Sequence, residues 1–137
     1  LFDNHSVRSL SISNIKQGSL NPVSAKFILH SIAYGTHCIE SLNMSSLGLS
    51  ASTKQKIPQY INKILRTGNI RDLDFSNNIA LKQIELNQLN FNNSIESLNL
   101  SNTPEAWLRK DLSKNKSLLN LNLSRSNIRI RGSVISK

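Results

Sequence analysis

Residue types able to do covalent or acid–base chemistry are few in this chain and poorly spaced for it. Asp72 and Asp74 lie two apart, which on an extended strand puts both carboxylates on one face. Paired carboxylates serve general acid–base catalysis when a cleft and a third group separate their proton affinities. No such group lies near them in sequence. His5, His30, His37 and the single Cys38 could supply ligands or a nucleophile. Yet no Cys-x-x-Cys or His-x-x-x-His spacing accompanies them. Cys38 directly precedes Ile39 at the entry to an apolar run, the place of a structural thiol. The five glycines are isolated, so no phosphate-cradling loop is present. These observations argue against an enzyme, and no cofactor and no metal site are expected.

Binding chemistry is better represented, because one seven-residue phrase occurs five times. It reads Val7-Arg8-Ser9-Leu10-Ser11-Ile12-Ser13 and then Ile39-Glu40-Ser41-Leu42-Asn43-Met44-Ser45. It returns as Ile70-Arg71-Asp72-Leu73-Asp74-Phe75-Ser76, as Ile95-Glu96-Ser97-Leu98-Asn99-Leu100-Ser101 and as Leu118-Leu119-Asn120-Leu121-Asn122-Leu123-Ser124. Alternation at period two sends the Leu and the apolar residues to one side of a strand and the residues between them to the other. The outward residues then form columns. The first holds Ser9, Ser41, Asp72, Ser97 and Asn120, and the second Ser11, Asn43, Asp74, Asn99 and Asn122. A third is all serine: Ser13, Ser45, Ser76, Ser101 and Ser124. The first two columns, with Arg125 at their flank, are the candidate partner-binding residues. They offer many hydrogen bonds and no aromatic anchor. The Asn-x-Ser matches at Asn43, Asn99 and Asn122 follow from the phrase itself and are not read as glycosylation sites.

The phrase needs a framework to bury its apolar side. One strand buries too little. Five stacked in parallel align Leu10, Leu42, Leu73, Leu98 and Leu121 in one ladder, with Ile12, Met44, Phe75, Leu100 and Leu123 in a second. Val7, Ile39, Ile70, Ile95 and Leu118 make a third. Fully burying one such side chain stabilises by about 1.5–3 kcal/mol. The ladder leucines are 32, 31, 25 and 23 residues apart, and the long connections carry helix signals. Asn21-Pro22 provides a cap and first-turn proline, Val23, Phe27, Ile28 and Ile32 an apolar face, and Gly35 a stop. Ile57, Ile61, Ile64 and Leu65 form a second helix near Pro58, ended by Gly68. Thr103-Pro104-Glu105 signals another, with Trp107, Leu108 and Leu112 inward. The segment 77–94, including Leu81, Ile84 and Leu86, reads as a short helix or irregular stretch.

The five phrases resemble the leucine-rich-repeat family, whose pattern is Leu-x-x-Leu-x-Leu-x-x-Asn-x-Leu. The longer spacings resemble its ribonuclease-inhibitor-like members. The resemblance runs from Val7 to Ile128 and implies an α/β solenoid, with a parallel concave β-sheet and helices or irregular segments on the convex side. It also implies protein binding on the concave face. The chain departs from the pattern at the ninth place, which holds Ile15, Leu47, Asn78, Thr103 and Ser126. Only Asn78 matches, so a largely missing asparagine ladder and irregular turns are expected. Residues 1–137 read as one leucine-rich-repeat domain of about five repeats. Neither end shows a cap, which suggests a fragment of a longer protein.

Charge and composition bound the partners. The formal net charge is +9, with basic residues in three groups. These are Lys54, Lys56, Lys63 and Arg66; Arg109, Lys110, Lys114 and Lys116; and Arg125, Arg129, Arg131 and Lys137. No aromatic platform is interleaved with them in sequence, so a solvated surface is the plainer reading and nucleic acid or acidic lipid the alternative. One cysteine favours a reducing compartment such as the cytoplasm, and no transmembrane run is present. The function expected is a protein-interaction scaffold. Its Asn, Lys, Ile and Ser bias resembles that of an AT-rich genome, and its irregular repeats resemble those of proteins that intracellular bacteria use as host-directed effectors and that protists also use. A substrate-recruiting module of a larger enzyme is a further alternative.

Overall fold

In a computed structural model of the chain, which describes residues 3–4, 6–13, 21–50 and 56–130, the five phrases form one sheet. His5, Ile15, Lys54, Arg131, Val134, Ile135 and Lys137 lie outside the described residues. In chain order the elements are β1 (Asp3–Asn4), β2 (Ser9–Ser11), α1 (Pro22–Tyr34), β3 (Thr36–His37), β4 (Ser41–Asn43), α2 (Ile57–Arg66) and β5 (Asp72–Asp74). There follow β6 (Ile84–Glu85), a 3₁₀ helix (Leu86–Phe91), β7 (Ser97–Asn99), β8 (Glu105–Leu108), β9 (Asn120–Asn122) and β10 (Asn127–Ile130). The protein is thus a mixed α/β chain built on parallel sheets.

The main sheet has the order β2-β4-β5-β7-β9, all neighbours parallel. Leu10, Leu42, Leu73, Leu98 and Leu121 stand opposite one another in unbroken register. The phrase sets this register, because a slip by one residue would turn every leucine into solvent. Leu42, Leu73 and Leu98 are buried, as are Met44, Phe75 and Leu100 beside them. The outer strands bury less: Leu10, Ile12, Leu118, Leu121 and Leu123 pack against the core but stay partly exposed, and Val7 is 37% exposed.

A second parallel sheet, β6-β8-β10, covers the connections. It corrects the reading of the fourth connection as a helix. Glu105–Leu108 is a strand in which Ala106 is buried while Trp107 stands on the other side, half-buried. With repeats of 25 and 23 residues the connection is short, and pairing with Ile84–Glu85 and Asn127–Ile130 satisfies its backbone. The Leu81-x-x-Ile84-x-Leu86 stretch contributes β6, and all three apolar residues are buried.

The helices form where their signals lie. The Asn21 side chain accepts the Val23 N–H at 2.8 Å, with Pro22 in the first turn. The apolar face of α1 is rotated from the one read in sequence: Ala25, Leu29 and Ile32 are buried, whereas Val23 is 47% and Phe27 65% exposed. Phe27 instead lines a groove with Leu10, Ile12 and Ile28. In α2, Ile57, Pro58, Ile61, Ile64 and Leu65 are buried as spaced. Among the described residues no helix is long and apolar enough to cross a membrane.

Candidate functional site

The outward face of the main sheet carries the first two columns, Ser9/Ser41/Asp72/Ser97/Asn120 and Ser11/Asn43/Asp74/Asn99/Asn122, in register. Ser9, Asp72 and Asn120 are exposed, and Ser41 and Ser97 half-buried. The second column has a structural duty not legible from the strand pattern. Oδ1 of Asn43, Asp74, Asn99 and Asn122 accepts the N–H of Ser45, Ser76, Ser101 and Ser124 at 2.8–3.1 Å. Each closes a turn onto its own backbone. The face is therefore a row of polar groups whose side chains are held in place.

The all-serine column is not part of this face. The strands are three residues long, and Ser45, Ser76, Ser101 and Ser124 start the turns that follow. The next residue is left-handed in every case: Ser46, Asn77, Asn102 and Arg125 have φ of 57°, 59°, 55° and 59°. Arg125 thus sits at a turn position, exposed, at the edge of the face. These turns are regular, contrary to the expectation drawn from the missing asparagines.

The reason lies at the ninth place. Asn78 is fully buried, and its Oδ1 accepts the Leu47 and Leu49 N–H groups at 3.0 and 3.1 Å. Its Nδ2 donates to the Phe75 and Met44 carbonyls at 2.7 and 3.1 Å. At Thr103 and Ser126 hydroxyls take over: Ser126 Oγ donates to Leu100 O at 2.6 Å and accepts the Thr103 N–H at 3.4 Å. Asparagine also bridges before the strands, where Asn92 Oδ1 accepts the Ile95 N–H and Asn115 Oδ1 the Leu118 N–H. Heavy asparagine use thus reflects backbone satisfaction.

Of the groups first considered for catalysis, His30, His37 and Asp74 contact neighbours of their own. His37 accepts the Ile39 N–H at Nδ1 and faces Ile32 O through Nε2 at 3.0 Å. His30 lies between Tyr34 and Tyr60, with ring centroids at 4.9 and 5.3 Å. Cys38 is half-buried. Among the described residues no three His, Cys, Asp or Glu side chains converge as for a metal.

The basic groups do meet aromatic rings, which their sequence positions concealed. Arg66 lies 3.9 Å from the Phe91 ring centroid, Lys63 5.4 Å from Tyr34, and Arg109 and Arg129 4.8 and 5.7 Å from Trp107. Arg109 pairs with Glu85 and Arg129 with Glu105, both at 2.8 Å. The Glu85 hydrogen bond, then its charge, raises the Arg109 guanidinium above its ordinary value. Arg8 pairs with Glu40 at 3.5 Å. In comparisons with known proteins, no family model, no curated protein and no solved structure matched the chain.

Proposed function

We propose that this chain is a leucine-rich-repeat solenoid that acts as a protein-interaction scaffold, with the main sheet's outward face as its concave binding surface. One observation supports this most: two in-register columns of small polar side chains span five parallel strands, and four members of the second column are fixed by bonds to their own turns. A surface already ordered loses little side-chain entropy on binding. Small side chains also admit a partner close to the sheet. Asp72 and Asp74, on the middle strand, are the only charged members of the two columns. The partner therefore presents a cationic group opposite the centre, ringed by hydrogen-bonding groups.

Charge reversal tests this reading. Asp72→Lys and Asn120→Arg, both at exposed first-column positions, should each weaken a captured partner at least tenfold while thermal unfolding stays unchanged. Undiminished binding by both variants refutes it.

A further inference from the structure

We propose that a second surface, remote from the main sheet's face, seats a nucleotide of single-stranded nucleic acid. The place is a groove of about 320 Å3 between the 3₁₀ helix and residues 109–114. Its walls are stapled by amides. Asn87 Oδ1 accepts the Arg109 and Lys110 N–H groups while its Nδ2 donates to Lys110 O, and Asn90 Nδ2 donates to Asp111 O at 3.0 Å. The groove is therefore built before any ligand arrives.

Three features select the ligand. Phe91 lines the groove and is 60% exposed, a large flat apolar surface left in water. Arg66 lies over this ring and donates to Gln88 at 3.2 Å, and the exposed remainder of Phe91 is offered to a stacking partner. Second, Asn90 lines the groove and its Oδ1, shielded from solvent, has no hydrogen-bond partner, so an imide or amino N–H of a base would engage it once the amide turns toward the groove. Third, Lys110 and Lys114 stand exposed at the rim. Of the groove's two carboxylates, Glu85 is engaged by Arg109 and Asp111 accepts the Ser113 N–H and hydroxyl, so Lys110 and Lys114 are the cations turned toward phosphate. A stacking ring beside cations is how single strands are held without reading their sequence. A duplex offers no unstacked base to such a ring.

The test is fluorescence anisotropy of the whole chain with a labelled oligouridylate of about eight nucleotides, a length within the usual span of such grooves. Phe91→Ala should weaken binding between about 5- and 150-fold, the range for one base–aromatic stack. Lys110→Glu with Lys114→Glu should flatten the dependence of log affinity on log salt by about 1.4, for two phosphate contacts on a single strand. Both changes are on the surface, and unchanged circular dichroism melts establish that the variants fold. Asp72→Lys, on the other face, should not weaken binding. Absence of binding at low salt, equal affinity for duplex RNA, equal competition by polyglutamate, or indifference to Phe91→Ala would each overturn the proposal.

Discussion

Asn78→Ala is the substitution whose cost follows most directly from the structure. The side chain is fully buried and accepts two backbone N–H groups, from Leu47 and Leu49, which follow the preceding strand. Alanine leaves both donors buried, each at about 1–3 kcal/mol, and also removes the partners of the Met44 and Phe75 carbonyls. Local relaxation recovers part of this, so the expected loss is about 3–5 kcal/mol. That is a large fraction of the roughly 5–15 kcal/mol by which folded domains exceed the unfolded state. Urea unfolding followed by circular dichroism and Trp107 fluorescence should show a lower midpoint with an unchanged slope. Asn78→Thr, which imitates position 103, should recover part of the loss. The exposed Asn93→Ala should change stability by less than about 0.5 kcal/mol. If Asn78→Ala costs no more than Asn93→Ala, side-chain bridging between successive phrases is not what holds these turns.

Three further outcomes follow. In the leucine ladder, Leu98→Ala should cost about 2–5 kcal/mol and Leu121→Ala clearly less, because Leu98 is fully buried and Leu121 only partly; the same urea titration compares them. Asp74→Ala removes the acceptor for the Ser76 N–H and should lower stability by about 1 kcal/mol, as loss of a helix cap does, whereas Asp74→Asn should be near neutral. Arg125→Asn places a residue tolerant of left-handed backbone at φ 59° and should raise stability by about 0.5 kcal/mol, read from the thermal midpoint.

The sheet was fully legible in the sequence, since the five-fold phrase carries both the strand period and the register. The helix starts were legible too, because Asn21-Pro22 and the Ile57, Ile61, Ile64, Leu65 spacing are local signals. The inward face of α1 was not: which of its apolar residues turn inward depends on the elements it packs against, α2 among them. Thr103-Pro104-Glu105 misled because its cap-like order says nothing of the strands on either side of it. The outward columns were placed correctly as strand positions, but the second column's turn-closing role needed three-residue strands that end before the serines. The groove at Phe91 was hidden because its ring and amide lie on the 3₁₀ helix and its lysines about 20 residues further on, brought together by cross-bonds such as those from Asn87 and Asn90.

The central claim is that a partner docks on the main sheet's outward face. A photo-crosslinking side chain placed at Asn120, exposed in the first column, or at Gln59, exposed on α2, tests it most directly in a lysate treated with nuclease at moderate salt. A discrete protein adduct from position 120 that disappears with Asp72→Lys, and none from position 59, is the expected result. Adduct formation from position 59 alone, or an adduct at 120 indifferent to Asp72→Lys, would contradict it.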